Sequence, residues 1–367
     1  MSLFATSIGL VTSIGYDVRT SCASARAGVT RIDDIQHIQV IEESTHEEAS
    51  ISGCAVSPLT DGFGSIGRWT VLGLQAIDDL IQYSGLNPEQ TDFWKRTAIV
   101  FALPDLDAPN FDFEGVVNTD TIKSRFVEPF ISQTGLAISP KFSLVVSEDD
   151  TAAISACSRV EQCFNNENVD RVILLAVDSL IEAHRLNWVE MSGRLKKPDN
   201  PIGVIPGEGA AAILFESEST LATTAIKPLA RIYAHSIAVE KNNQYKEEPT
   251  PNVGEGLAHS INEALSLVQT AGAFEGVIYT DLNGEEWRAR ELAMARMRLV
   301  NNNRLNTDVP EIVPVASFGD VGTVKPLCSI CMLIEGNRRG YDSKSTGLVL
   351  GSSASGTTGC ILIQAFN

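Results

Sequence analysis

Residues 207–216 read Gly207-Glu208-Gly209-Ala210-Ala211-Ala212-Ile213-Leu214-Phe215-Glu216, directly after Lys196-Lys197-Pro198-Asp199-Asn200-Pro201-Ile202-Gly203-Val204-Ile205-Pro206. A loop of turn formers thus runs into a Gly-x-Gly step and then into a small-residue strand. Side chains this small are expected where the backbone passes close to something packed beside it.

Upstream of this stretch, Leu3–Val11 reads as a strand, and Thr12-Ser13-Ile14-Gly15 turns into a helix around Val18–Arg26. Residues 36–65 are polar and turn-rich, expected as a surface excursion. Val71, Leu72, Leu74, Ile77, Leu80 and Ile81 give Arg68–Tyr83 a helical period. Thr97–Leu103 is a continuous apolar run, a buried strand, and Lys123–Ser132 a weaker helix. Phe142–Val146 reads as a strand that enters the acidic step Ser147-Glu148-Asp149-Asp150-Thr151. That step starts a small-residue helix through Ala152, Ala153, Ile154, Ala156, Val160 and Phe164, and Val172–Val177 is the next strand. The helix is long enough for a parallel crossover.

Downstream the theme repeats. Leu229–Val239 is a strand, Gly256–Ala271 a helix, Val277–Tyr279 a strand and Glu285–Val300 a helix. Ser317-Phe318-Gly319-Asp320 leads into a helix over Val321–Ile334, and the chain closes with strands at Leu348–Leu350 and Ile361–Ile363. Two halves of similar content, divided near residue 222, point to an internal duplication. Periodicity supports the α/β class.

The chain has 367 residues, 44% of them hydrophobic, with 28 glycines, a formal net charge of −18 and mean hydropathy near +0.04. This is globular composition, and its length exceeds one ordinary core. So acidic a chain is expected to avoid nucleic acid and anionic membranes, which select basic surfaces. Its seven cysteines lack a disulfide framework. Cys328 and Cys331 form C-x-x-C inside the apolar run Leu327–Ile334, where buried thiols are expected. His37, His46, His184, His235 and His259 have no metal-ligand spacing. The start reads as a first strand and not as a signal peptide, no segment is long enough to span a membrane, and a cytoplasmic location is expected.

Residues 8–32 and the Gly207–Glu216 phrase resemble β-ketoacyl synthases, condensing enzymes of the thiolase fold. The resemblance implies a duplicated five-layer αβαβα fold with mixed sheets, halves at 1–222 and 223–367, and a homodimer built through the N-terminal half. It also implies a cysteine nucleophile at the start of the first central helix, with two histidines and a lysine from the second half. That chemistry needs a thiolate at a helix N-terminus and imidazole donors around an oxyanion.

Counting back from Asn168-Val169-Asp170-Arg171-Val172, which resembles the family's entry to the next strand, puts the nucleophile position at Asp150, give or take one residue. Cys157, in Ser155-Ala156-Cys157-Ser158, is the competing candidate, but it lies about two turns inside the helix and reads as a core thiol. Tyr279-Thr280-Asp281-Leu282-Asn283-Gly284-Glu285 matches the phrase of the first histidine, with Asp281 in its place. Phe318-Gly319-Asp320-Val321-Gly322 matches that of the second, with Asp320 opposite it. Val315 or a neighbour stands where the lysine would be. Ser353-Ala354-Ser355-Gly356-Thr357-Thr358 matches the C-terminal gate loop without its phenylalanine.

Asp150, Asp281 and Asp320 in these places imply loss of the condensing reaction. A carboxylate replaces a thiolate in thioester exchange only through a reactive anhydride, and an ionised one donates no hydrogen bond. The expected role is that of a non-catalytic binding or accessory subunit without a cofactor. Its partner would be an acyl carrier protein or, as for some thiolase-fold relatives, a secretion-system effector. The alternative is an acyl-group transferase or hydrolase with an altered site. The simplest reading of the aspartates is as helix caps and a turn residue; acid–base hydrolysis or a Mg²⁺ site are the others. Arg288, Arg290, Arg296, Arg298 and Arg304 read first as a solvated helix face paired with local glutamates. The competing reading is a docking patch for an acidic partner with Trp287 as anchor.

Overall fold

A computed structural model of the chain describes residues 2–41, 46, 48–106, 119–224, 226–245, 251–268 and 272–367. Its strands are β1 (Leu3–Val11), β2 (Asp33–Ile41), β3 (Glu48–Gly53), β4 (Thr97–Leu103), β5 (Leu144–Ser147), β6 (Arg171–Ser179), β7 (Glu208–Glu216), β8 (Ala230–Val239), β9 (Val277–Tyr279), β10 (Glu311–Ile312), β11 (Thr346–Ser352) and β12 (Thr357–Ala365). All but β2 and β3 join one mixed sheet in the order β10-β9-β11-β12-β8-β1-β7-β6-β4-β5.

The order is symmetric about the β8–β1 contact. Going outward from β1, the chain meets β7 antiparallel, β6 antiparallel to that, then β4 and β5 in parallel. Going outward from β8, it meets β12, β11, β9 and β10 with the same succession of directions. The two sets touch where Leu3–Ala5 of β1 pairs with 230–232 of β8.

Two helices lie between the strand sets. The first central helix, Ala152–Cys163, packs on β4 and β6 from one side and on β8 and β12 from the other. The second, Lys325–Arg338, packs on β1 and β7 and on β11 and β12. The second is buried nearly all round, and the first buries all but a strip that includes Arg159 and Gln162, as middle-layer helices require. Ile154, Val160, Leu327, Ile330 and Leu333 share one core with Leu174, Phe215, Val349 and Ile361. Each such side chain contributes roughly 1.5–3 kcal/mol of burial. The amphipathic helix Ser65–Tyr83 covers the outer face of β1, β7 and β6 through Trp69, Leu72, Ala76 and Leu80. The helix Glu255–Leu267 covers β8 and β12, with Glu286–Asn301 packed on it. Helices, strands, helices, strands, helices make five layers.

Three expectations are corrected. Within residues 36–65 the chain forms the hairpin of β2 and β3, where Ile35 opposite Ile51 is buried against Ile181 and Leu186. Residues 42–45 and 47 lie outside the described residues. The second central helix begins at Lys325 and not at Val321, because Gly322 is left-handed (φ 53°) and a single 3-10 turn, Gly322–Val324, precedes it. The expected helix end at Ala271 falls partly outside the described residues, the helix itself closing at Leu267. All seven cysteines are free and buried, Cys328 and Cys331 included. Among the described residues no helix is long and apolar enough to cross a membrane.

Candidate functional site

The Gly-x-Gly step passes against the segment that carries Asp320. The Gly207 N–H donates to the Asp320 carbonyl at 2.9 Å, and the Asp320 N–H to the Ile205 carbonyl at 2.8 Å. A Cβ on Gly207 would come within 2.5 Å of the Phe318 carbonyl oxygen. The small residue therefore permits the contact that fixes Asp320. Between the two glycines, Glu208 is fully buried and accepts from Arg68 at 2.8 Å, Thr60 at 2.5 Å, the Val56 N–H at 2.8 Å and Ser179 at 2.7 Å.

Asp150 stands in the 3-10 turn Asp149–Thr151 at the mouth of the first central helix. Asp281 follows β9 and Asp320 precedes the second central helix. The structure brings all three together, buried around two cations that the sequence reading did not assign to the site. Lys325 places its Nζ 3.0 Å from Asp150 Oδ1 and 3.0 Å from Asp320 Oδ1. Arg288 donates to Asp150 Oδ2, to Asp281 Oδ2 at 2.5 Å and to the Ser352 carbonyl. Both cations are only 2% exposed. Asp281 also accepts from the Ser352 N–H at 2.7 Å, tying β9 to the end of β11. Asp320 accepts from Asn283 at 2.7 Å and from the Gly322 N–H at 2.9 Å. The network continues outward through Asn283 to Glu285 at 2.9 Å and from Glu285 to Arg194 at 2.6 and 2.9 Å.

Burial alone would discharge these groups, and the pairing reverses that. Burial works against the Asp320 carboxylate, yet Lys325 and Arg288 hold its pKa well below the ordinary carboxylate range. Glu285 is likewise disfavoured by burial but held down at about 2 by Arg194 and Arg288. Lys325 and Arg288, penalised by burial, are both raised by the aspartates they face. Asp149 goes the other way: loss of water and the Asp150 charge push it up to about 6. Its Oδ2 accepts from Ser353 at 3.2 Å, at the head of the expected gate loop.

A cavity of about 600 Å³ opens next to this network, lined by Arg194, Tyr245, Glu285, Trp287, Arg290 and Ala354 among others. The Arg194–Glu285 pair forms part of its wall. Trp287 is half-buried, with the Arg288 guanidinium over its ring at 4.4 Å.

Capping accounts for little of this. No side chain caps the first central helix, and Asp281 binds Arg288 and Ser352 instead of closing a turn. Asp320 does bind the Gly322 N–H, in the manner expected of it, but is ion-paired as well. Nor is the arginine run one solvated face: Arg288 is buried, while Arg290 pairs with Glu286 and Arg296 with Glu311. Val315 supplies no cation, and Lys325, ten residues further on, does. Cys157 is fully buried inside the helix, its thiol pushed up to about 12 by burial. Two signals pointed to the missing cations. Lys325-Pro326 heads an otherwise apolar helix, and three inward carboxylates demand buried positive charge.

No protein-family model matches the sequence, and no curated protein sequence matches it. Solved structures do. A chain of the AntDE:AntF assembly, described as a type II PKS acyl-carrier protein in complex with its ketosynthase bound to the hexaketide, is similar with a TM-score of 0.74 at 14% identity, over 100% of this chain and 99% of that one. The ishigamide ketosynthase/chain length factor is similar with a TM-score of 0.69 at 15% identity, over the full length of both. The ketosynthase from module 6 of the Bacillus subtilis bacillaene synthase gives 0.70 at 12% identity, over 100% of this chain and 72% of that one. The fold is that of the ketosynthases. Its ketosynthase-like frame thus carries, at the meeting point of the two central helices, a buried network of carboxylates and cations.

Proposed function

We propose that this ketosynthase-like chain does not condense acyl groups and works as a binding or accessory subunit. On this reading Asp150, Asp281 and Asp320 occupy the positions of the family's cysteine and two histidines, and the halves 1–222 and 223–367 descend from a duplication. The observation that supports it best is the engagement of Asp150. One oxygen faces Lys325 and the other faces Arg288, and both partners are buried. A carboxylate gripped on both oxygens is a poor nucleophile. With Arg288 ionised there is also no neutral acid–base pair beside it.

The partner this reading favours is an acyl carrier protein or another subunit of thiolase fold. Among the similar structures one holds an acyl-carrier protein with its ketosynthase, and another is a ketosynthase/chain length factor. No feature of the described residues speaks for a secretion effector. Self-association is part of the same proposal, through the N-terminal half.

Intact-mass measurement after incubation with acyl-CoA and acyl-carrier-protein thioesters tests it. The expected mass is that of the unmodified chain, with the carrier protein retained on co-elution. An acyl adduct, on Cys157, on Asp150 or elsewhere, would favour the acyl-transfer enzyme.

A further inference from the structure

Ten residues along the second central helix from Lys325, about 15 Å away, Glu335 and Gly336 border a second cavity of about 400 Å³. Its other walls come from the helix Val18–Arg26 and from β9 and β10. Met332 and Val313 give it an apolar floor, and Arg19, Arg26 and Arg339 stand at its mouth. In a chain of net charge −18 this collection of guanidiniums is unusual.

Two of the arginines are already held: Arg26 by Asp342 at 2.6 Å and Arg339 by Glu335 at 2.8 Å. Arg19 pairs with no carboxylate among the described residues and lies 5.6 Å from the Tyr83 ring. Tyr279 adds an independent sign of a ligand. It is 1% exposed, lines the cavity, and its hydroxyl makes no hydrogen bond among the described residues. The hydroxyl oxygen is not one of the fully enclosed unpaired polar atoms, so it opens onto the cavity and is free to donate to a group bound there.

We propose that this cavity binds an alkyl monocarboxylate. The carboxylate would sit between Arg19 and Arg26 and accept from the Tyr279 hydroxyl, with its chain along Met332 and Val313. Guanidiniums at the mouth disfavour an amine, and a neutral alcohol forgoes their attraction for a negative charge. The Glu335 and Asp342 carboxylates keep the local positive excess small, which suits a single negative charge over a phosphate dianion. The site goes beyond the reading above and stands or falls without it, because no residue of the Asp150 network lines it.

Isothermal titration of the full chain with decanoate, decanol and decylamine decides the matter. Decanoate binds at one site, decanol at least tenfold more weakly, and decylamine gives no heat. Tyr279→Phe, which keeps the ring packing, weakens decanoate roughly tenfold, the loss expected of one hydrogen bond to a charged group, and leaves decanol unchanged. Arg19→Gln, at an exposed position, also weakens decanoate selectively, and Ala23→Trp, on the rim, abolishes binding of both. The proposal is overturned if decanoate gives no heat at millimolar concentration. It is equally overturned if decanol matches decanoate, or if Ala23→Trp and Arg19→Gln, both with unchanged circular dichroism, bind decanoate like the original chain.

Discussion

Arg288 donates to Asp150, to Asp281 and to the Ser352 carbonyl while only 2% exposed, so one planar side chain ties the mouth of the first central helix to β9 and β11. The fork geometry of a guanidinium allows this, and an ammonium in its place would reach fewer partners. A buried ion pair contributes little compared with an apolar filling of the same shape, but removing one partner strands the others in a dry interior. Arg288→Met is therefore expected to destabilise the chain by about 3–5 kcal/mol, read as a lower urea midpoint at pH 7. Arg288→Lys, which keeps a charge and loses the fork, falls between the two. A midpoint for Arg288→Met equal to that of the original chain would mean the carboxylates are satisfied without it. Asp150→Asn removes a charge that both Lys325 and Arg288 face, and lowers the midpoint in the same direction.

The elements that converge on the site carry opposite proton linkages. Glu285, at the start of the helix Glu286–Asn301, is held at about 2 against an unfolded value near 4.5. A depressed folded pKa contributes stability that is present above the unfolded value and lost as pH falls through 4 toward 2. The contribution is roughly 3 kcal/mol. Asp149, before the first central helix, is raised from 3.8 to about 6, so its share is present below pH 4 and lost as pH rises through 6. Denaturant midpoints should thus peak near pH 4, where the gain from Glu285 gives way to the loss from Asp149, and decline on both sides. Glu285→Gln is expected to lower the midpoint at pH 7 and to flatten the acid limb; an acid limb as steep as before would remove Glu285 from the account. Most elements were legible in the sequence. Leu3–Val11, Val18–Arg26, Thr97–Leu103 and Val277–Tyr279 stand where apolar runs and turn residues placed them. The three aspartates were singled out from the sequence, and the structure brings them together around Arg288 and Lys325. Lys325 was not picked out, and Arg288 reads only as part of a surface basic run. An arginine among Glu285, Glu286 and Glu291 looks like any solvated pair, and only its contacts with Asp150, Asp281 and the Ser352 carbonyl, all distant or on other elements, show that it turns inward. The β2–β3 hairpin was hidden for a related reason, since Ile35 and Ile51 are buried by packing on the distant Ile181 and Leu186.

At the scale of the whole molecule, the ten-stranded sheet ends in two edges, β5 and β10, and they are unequal. β10 is two residues long. β5 pairs with β4 alone among the described residues, leads directly into Asp149 and Asp150, and presents Leu144 at 37% exposure. An edge strand with an exposed leucine and an unpaired side is a ready surface for strand addition or apolar contact. It also belongs to the N-terminal half, through which the proposed homodimer forms. A dimer across β5 would brace the turn that holds Asp150 from outside, linking association to the stability of the buried network. Light scattering should then give about twice the 39.5 kDa of one chain. Leu144→Asp should convert the protein to monomer, because two like charges brought together at a symmetric contact repel. That monomer should also unfold at a lower urea midpoint, one that no longer depends on protein concentration, whereas the original dimer's midpoint rises with it. A Leu144→Asp protein that remains dimeric would move the interface away from β5, and with it the link between assembly and the Asp150 turn.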